Sequence, residues 1–562
     1  MRPSLLSSFC AFITAVGAVG VKPSAQCKCF PGDACWPSKQ EWDGFNSTVR
    51  GRLIKTVPLG APCHAPNYNV SLCAALASQW KYSEVHIGSS SSIQDPIYAN
   101  QSCDPFTSHT SPCLMGNYVR YAVNVSDPSD VAATLQFAHE NNIRLVIRNT
   151  AHDYMGRSTG AGALAVWTHN LKSIEIKDWA DAKYTGKAIK IGAGIQGFEV
   201  SQSLSSHGLV AVTGECPTVG IAGGYTQGGG HSPLSTAYGL SADNTLEFEV
   251  VTADGRLVTA SPTSSKYADL FFALSGSGAG NYGVVISVTL KAHPEAITSG
   301  AGFTLDQPNL DYPAIVNAWH AALPGILDAG GMATYYAQND TLVVYSITGY
   351  NLTQSDMETI LAPFIKAVAP LGVILKPNYT QFDTYNEHYD SYYGPLPVGV
   401  FGSAGEYLMG GRLLHRDMLQ HLGDAINQTL LLGVRVIGQA TNVKKFRSEA
   451  RAVLPQWRDT LVMSSYTLPY SFEVPFSKMT AEQDYITDHI MPIIEKVTPN
   501  AGAYINEADF QQPDWQDVFF GQNYARLLAI KRKYDPKGLF WNRIAVGSEG
   551  WKTRRDGRLC PV

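Results

Sequence analysis

Arg148-Asn149-Thr150-Ala151-His152-Asp153-Tyr154-Met155-Gly156-Arg157-Ser158 is the stretch on which the reading of this chain turns. It leaves a short apolar run, Arg144–Arg148, that reads as a strand. Upstream, Tyr118–Val123 is also β-like, and Ser126-Asp127-Pro128-Ser129-Asp130 carries the capping residue and early proline of a helix start. Val131, Leu135 and Ala138 then share one helical face, and Asn141-Asn142 ends it. The pattern predicts a β-α-β unit that hands the chain into the His152 loop, where backbone N–H groups can meet a phosphate. His152 stands among small and polar residues, so two readings compete: a histidine presented to a ligand, or one on a surface loop.

Downstream, Gly214-Glu215-Cys216-Pro217-Thr218-Val219-Gly220-Ile221-Ala222-Gly223-Gly224-Tyr225 continues through Thr226-Gln227-Gly228-Gly229-Gly230 to His231. So many glycines imply that the backbone approaches something closely; the plain alternative is a loose loop. A third glycine-rich run, Gly276-Ser277-Gly278-Ala279-Gly280-Asn281-Tyr282-Gly283, contains G-x-G-x-x-G. A helix at Ala268–Leu274 precedes it and a strand at Val284–Leu290 follows, the reverse of the Rossmann order, so that reading is rejected. No G-x-S-x-G elbow, H-E-x-x-H or Walker loop occurs.

The chain's 562 residues are too many for one core, and 45% hydrophobic content supplies ample material for more than one. Fifty-one glycines and 31 prolines point to many turns. A net charge of −5 gives no reason to expect a nucleic acid or an anionic membrane as partner. Lys552–Arg558 reads as a solvated tail. Arg2, the apolar Leu5–Val19 and small residues around Ala18 and Gly20 read as a signal peptide over residues 1–20, hence a secreted, extracellular protein. Nine cysteines remain after it, and seven crowd between Cys27 and Cys113, a disulfide framework with connectivity left open. Zinc at Cys27, Cys29 and Cys35 fits an oxidising compartment poorly, and no metal site is expected. Eight cysteines can make four bridges, which leaves Cys216, alone in mid-chain, for another role. Eight N-x-S/T sequons, from Asn46 to Asn427, fit a glycosylated surface.

Taken together, the His152 loop, Cys216-Pro217-Thr218-Val219-Gly220 and the C-terminal Asn523-Tyr524-Ala525-Arg526-Leu527 with Lys531 and Asp535-Pro536 resemble the vanillyl-alcohol-oxidase-type flavoproteins. These carry a p-cresol-methylhydroxylase-like (PCMH-type) FAD domain. Within them the chain looks most like the berberine-bridge-enzyme-like branch and its fungal secreted isoamyl alcohol oxidase-like subgroup, from about Cys27 onward. The resemblance implies an FAD joined covalently at His152 and, as in bicovalent members, also at Cys216. It further implies that Arg148, Asn149, Thr150, Ala151, Asp153, Gly214, Gly220, Gly223 and Asn523 belong to the FAD site. Val285 would lie towards the adenine, and Val219 at a small gate beside the ring, which favours O2 as the acceptor.

Two positions depart from the family pattern. Tyr225 stands where many relatives carry histidine. Tyr504-Ile505-Asn506-Glu507-Ala508-Asp509 puts Glu507 where they carry a catalytic tyrosine. Glu507 is a candidate base if partly desolvated; otherwise it is a surface glutamate or a salt-bridge partner. Tyr225 and His231 are the other catalytic candidates, with Glu406 and Tyr407 weaker.

The expected fold is α+β. A PCMH-type FAD-binding domain of two α/β subdomains spans 116–295. A substrate domain built on an antiparallel sheet flanked by helices spans 296–514, and 515–562 completes the FAD domain. Residues 21–115 form a disulfide-rich region packed on the outside. The expected activity is an oxidase that passes hydride from an alcohol, sugar or secondary-metabolite C–H to the flavin, with a small-molecule substrate and O2 as partners and H2O2 as product. The alternatives are an oxidative cyclase or desaturase of one specialised metabolite, and a flavin-bearing interaction protein with little turnover. A monomer or simple oligomer is expected.

Overall fold

The computed structural model describes residues 26–402, 405 and 407–562. The signal peptide expected over 1–20 and the candidate Glu406 lie outside the described residues.

The β-α-β unit forms as its signals predict. Asp127 caps the helix Pro128–Glu140 by accepting from the N–H groups of Ser129 and Asp130, and Pro128 sits in the first turn, where a missing N–H costs nothing. Val131, Leu135 and Ala138 are buried against the strands. Tyr121–Asn124 (β2), Leu145–Arg148 (β3) and Leu164–Trp167 (β4) are parallel, in the order β2-β4-β3, with Leu53–Lys55 (β1) antiparallel at the edge. All four residues of β4 are buried, as a strand covered on both faces requires.

An antiparallel sheet follows, built of Ile174–Ala180 (β5), Thr185–Gly192 (β6), Thr245–Val251 (β8), Leu257–Ala260 (β9) and Val284–Lys291 (β10) in the order β5-β6-β10-β8-β9. Leu209–Val210 (β7) pairs separately with His293–Pro294 (β11). One core joins the elements around these sheets, including Leu135, Val166, Ile189, Val250 and Phe271. Leu527 and Ile530 of the C-terminal helix Tyr524–Tyr534 return to the same core.

A second core lies under a seven-stranded antiparallel sheet. Its strands are Thr298–Leu305 (β12), Gly331–Gln338 (β13), Thr341–Tyr350 (β14), Asn378–Phe382 (β15), Tyr407–His415 (β16), Arg435–Ala440 (β17) and Thr460–Pro469 (β18), in the order β15-β12-β14-β13-β17-β18-β16. Alternate residues of a strand point to opposite faces. Ala333, Ala337, Val344, Leu408 and Val436 go into the core against the helices Tyr312–Asp328 and Gln354–Val368. The alternate set, including Thr334, Tyr336, Tyr345, Met409, Arg435 and Ile437, faces a cavity instead. The whole is α+β.

Two expectations need correction. In the region expected at 21–115, the described residues 26–115 are not merely an outer staple. Their β1 extends the first sheet, Trp80 and Cys103 enter the second core, and Gln94 donates to Thr150 O at 2.7 Å, directly behind His152. Lys552–Arg558 is not a free tail either: its exposed basic residues ride on a hairpin of Trp551–Thr553 (β19) and Leu559–Pro561 (β20). Cys560 ties that hairpin to Cys27, and Arg558 pairs with Asp33. The other bridges are Cys29–Cys35, Cys63–Cys73 and Cys103–Cys113, which leaves Cys216 free. The Cys29–Cys35 bridge takes up two of the thiols considered for zinc. Among the described residues no helix is long and apolar enough to cross a membrane.

Candidate active site

Where the loops leaving the first two sheets face the open side of the seven-stranded sheet, they enclose a cavity of about 530 Å³. The loop wall begins as β3 ends. The buried Arg148 side chain is held from behind by carbonyls of the N-terminal region, donating to Ser89 O at 3.0 Å and to His86 O at 3.3 Å. Asn149 Nδ2 donates to Ala193 O at 2.7 Å, which pins the next side chain across the wall. Ala151 then adopts φ +65°, a left-handed conformation uncommon outside glycine and often found where function dictates the backbone. That turn brings His152 to the cavity.

The second glycine-rich run lies against this loop. A Cβ on Gly220 would come within 2.4 Å of Asn149 Nδ2, so a larger residue there must displace the Asn149 amide. Cys216 reaches the cavity from this run. The Thr218 hydroxyl stands between the two candidate attachment residues, 2.9 Å from His152 Nε2 and 3.3 Å from Cys216 Sγ. Burial, helped by the nearby His86, drives the His152 pKa down to about 4, so its ring is neutral at ordinary pH. Burial also pushes the Cys216 thiol up, and it donates to Phe401 O at 3.2 Å.

At one end of the cavity sits an acidic cluster. His231 Nε2 donates to Glu507 Oε1 at 2.9 Å. Burial acts to lower the His231 pKa, but the charge and hydrogen bond of Glu507, together with the charge of Glu215, outweigh it and hold the imidazolium to about pH 9. His231 Nδ1 is buried without a hydrogen-bond partner, so the ring has a second donor unspent. Glu215 accepts from Thr334 Oγ1 at 2.8 Å, and its burial raises its pKa. Tyr225 donates to His231 O at 2.9 Å, and the Tyr504 hydroxyl accepts from Gly230 N and Asn506 Nδ2. Tyr225 and Tyr504 therefore hold the chain around His231 in place.

Of the residues singled out in the sequence, Asn149, Thr150, Ala151, His152, Asp153, Gly214, Cys216, Val219, Gly220, Gly223, Val285, Tyr225, His231 and Glu507 all line this one cavity. Arg148 and Asn523 are not among its lining residues. Arg148 braces the loop from behind, and Asn523 donates to Ala452 O at 3.2 Å, because the helix it opens packs on the first core. Glu215, Thr218, Asn542 and Arg435 were not anticipated. Glu215 and Thr218 lie inside a motif read for its glycines and cysteine, and Arg435 carries no local signal at all.

The loop wall suits a flavin dinucleotide. Gly214, Gly220, Gly223, Gly224, Gly280 and Gly283 line it, which leaves backbone exposed for close approach. Asn149 Oδ1 and Gln227 Oε1 are buried there without hydrogen-bond partners, acceptors that a bound ring or ribose can satisfy.

Comparison with known proteins agrees. The chain matches the family described as FAD binding domain over residues 119–261, and the family described as berberine and berberine like over 503–547. It is 49% identical to FAD-linked oxidoreductase ZEB1 of Gibberella zeae, over 96% of this chain and 95% of that one. It is 38% identical to the VAO-type flavoprotein oxidase VAO615 of Thermothelomyces thermophilus, over the whole of both chains, and 38% identical to bifunctional decalin synthase calF of Penicillium decumbens, over 97% of each. Among solved structures, VAO-type flavoprotein MtVAO615 from Myceliophthora thermophila C1 superposes with a TM-score of 0.91 at 37% identity, covering 95% of this chain and 100% of that one.

Proposed function

Since this chain belongs to the VAO-type, berberine-bridge-like family of FAD-linked oxidoreductases, we propose that it is a secreted oxidase of alcohol-like substrates that carries its flavin on His152 and Cys216. The observation that carries this reading is the convergence, in one cavity, of two candidate attachment residues with the His231–Glu507 pair. When bound, the flavin supplies the acceptor for a hydride from a C–H beside oxygen. The protein's part is to bind, orient and move a proton. Neutral His152 and Cys216, joined through the Thr218 hydroxyl, are placed to hold one edge of the ring. Glu507 accepts the substrate hydroxyl proton, and His231 keeps that carboxylate oriented through its Nε2–H. The His231 imidazolium offsets negative charge in this cluster. Val219, small and at the cavity, is the residue that would leave room for O2 at a bound flavin, and H2O2 would be the product.

Residues 116–295 with 515–562 form the FAD-binding portion and 296–514 the substrate portion. The four disulfides support export, and the relative named a flavoprotein oxidase supports O2 as acceptor. A second reading, an oxidation that ends in ring formation on a specialised metabolite, is favoured by the relative named a decalin synthase.

The test is to mix the protein anaerobically with a panel of primary and secondary alcohols, sugars among them, and follow flavin absorbance. Bleaching, then one H2O2 per carbonyl product when air is admitted, is the expected result. An unbleached flavin with every alcohol, or bleaching without H2O2 on reoxidation, overturns the oxidase.

A further inference from the structure

Arg435 stands on the sheet wall, far from the acidic cluster. Its strand β17 runs past the cavity with Arg435, Ile437 and Gln439 facing inward. Gln439 is the cross-strand partner of Thr334, whose hydroxyl holds Glu215. Four residues of strand at about 3.3 Å each therefore set Arg435 roughly 13 Å along the wall from the acidic end.

Among the described residues the guanidinium is positioned but not spent. It lies over the rings of Tyr336, at 4.7 Å, and Tyr407, at 5.2 Å, so its plane is fixed by aromatic faces. It donates to the Tyr407 hydroxyl and only distantly to Gln338 Oε1, at 3.5 Å. Its Nε is buried without a hydrogen-bond partner, and no carboxylate pairs with it among the described residues. Arginines that serve structure in this protein look different: Arg458 grips Asp243 with two bonds of 2.8 Å, and Arg451 donates to three backbone carbonyls. Arginine has five donors in a planar fork that fits a carboxylate side-on.

We propose that Arg435 is a specificity-determining residue that anchors a substrate carboxylate, so the preferred substrates are hydroxy acids with a flat, apolar body long enough to span the cavity. The aromatic rings take the body, Arg435 the carboxylate, and the carbinol is left at the Glu215–His231–Glu507 end. This rests on the proposed function in one respect, that the acidic end is the reacting end.

Binding of inert ligands tests the anchor apart from turnover. Calorimetry on the flavin-loaded protein compares a biphenyl bearing a methyl group at one end and a carboxylate at the other with its methyl ester. The carboxylate binds about 10- to 100-fold more tightly, as for a hydrogen bond to a charged group. In R435Q the ratio falls to about one; in R435K, which keeps the charge and checks that the fold survives, part of it remains. A ratio near one in the unaltered protein, a ratio that survives R435Q, or no binding of either ligand overturns the proposal. If the carboxylate binds in an Arg435-dependent way but its hydroxymethyl analogue fails to bleach the flavin, the proposed function fails and the anchor stands.

Discussion

On the loop wall of the cavity, the residues that matter lie in short stretches of sequence: Asn149–Ser158, Gly214–Gln227 and Ala279–Val285. On the sheet wall they are scattered over five strands, from Thr334 to Ser465, mostly as the alternate members of strands whose other face is core. The first wall is made by backbone: a left-handed Ala151, a Gly220 whose Cβ would crowd the Asn149 amide, and side chains such as Asn149 spent on bracing their neighbours. The second is made by side chains on a frame that does not depend on them. A wall of the first kind tolerates little change and suits a constant partner, the cofactor. A wall of the second kind can change residue by residue while the sheet stays intact, and suits a substrate that differs between relatives.

Four substitutions press on that contrast. The largest expected effect is on chemistry where the walls meet. E507Q keeps the hydrogen bond to His231 but cannot take a proton, so the anaerobic flavin-reduction rate falls by about 10²- to 10⁴-fold. Flavin content, set by the loop wall, stays at its normal ratio to protein. Loss of flavin in this variant would break the division of labour.

A smaller effect follows from a single methyl group. G220A forces Asn149 Nδ2 away from a Cβ it would meet at 2.4 Å and disturbs its bond to Ala193. Overpacking of this kind costs about 1–3 kcal/mol, to be read as a lowered Tm and a lowered flavin-to-protein ratio. I437A, which only widens the sheet wall, keeps its flavin. Equal flavin loss in both variants would show that the two walls are not distinct.

The smallest effect is on the pH profile. The His231 pKa is raised in the folded protein to about 9 from the ordinary imidazole value of 6.5. Its contribution to stability is therefore fully present below about pH 6.5 and is lost as pH rises through about 9. The same deprotonation removes the positive charge beside Glu507, where negative charge must develop, so the reduction rate falls along a limb near pH 9. In H231Q that limb disappears; its persistence would assign the titration elsewhere.

The same contrast explains what could be read in advance. The helix Pro128–Glu140 and strand Leu145–Arg148 were legible from a cap, a proline and an apolar period, all local. The loop wall was legible because its chemistry is contiguous, down to the free Cys216 left by counting. Glu215 became meaningful only when β13 brought Thr334 to it from 119 residues away. Arg435 needed β17 to sit beside β13 and across from Tyr407, which no local pattern encodes. Asn523 belongs to a motif of the helix Tyr524–Tyr534, and its side chain bonds Ala452 O while that helix packs on the first core.

The central claim is that the loop wall holds the flavin through His152 and Cys216, and acid precipitation tests it most directly. The protein is denatured in acid, pelleted and washed, alone and as H152A, C216A and the double variant. The account predicts that yellow flavin stays in the pellet of the unaltered protein and of each single variant, and leaves only the double. Release of all flavin from the unaltered protein would contradict it, and His152 and Cys216 would lose the roles proposed for them.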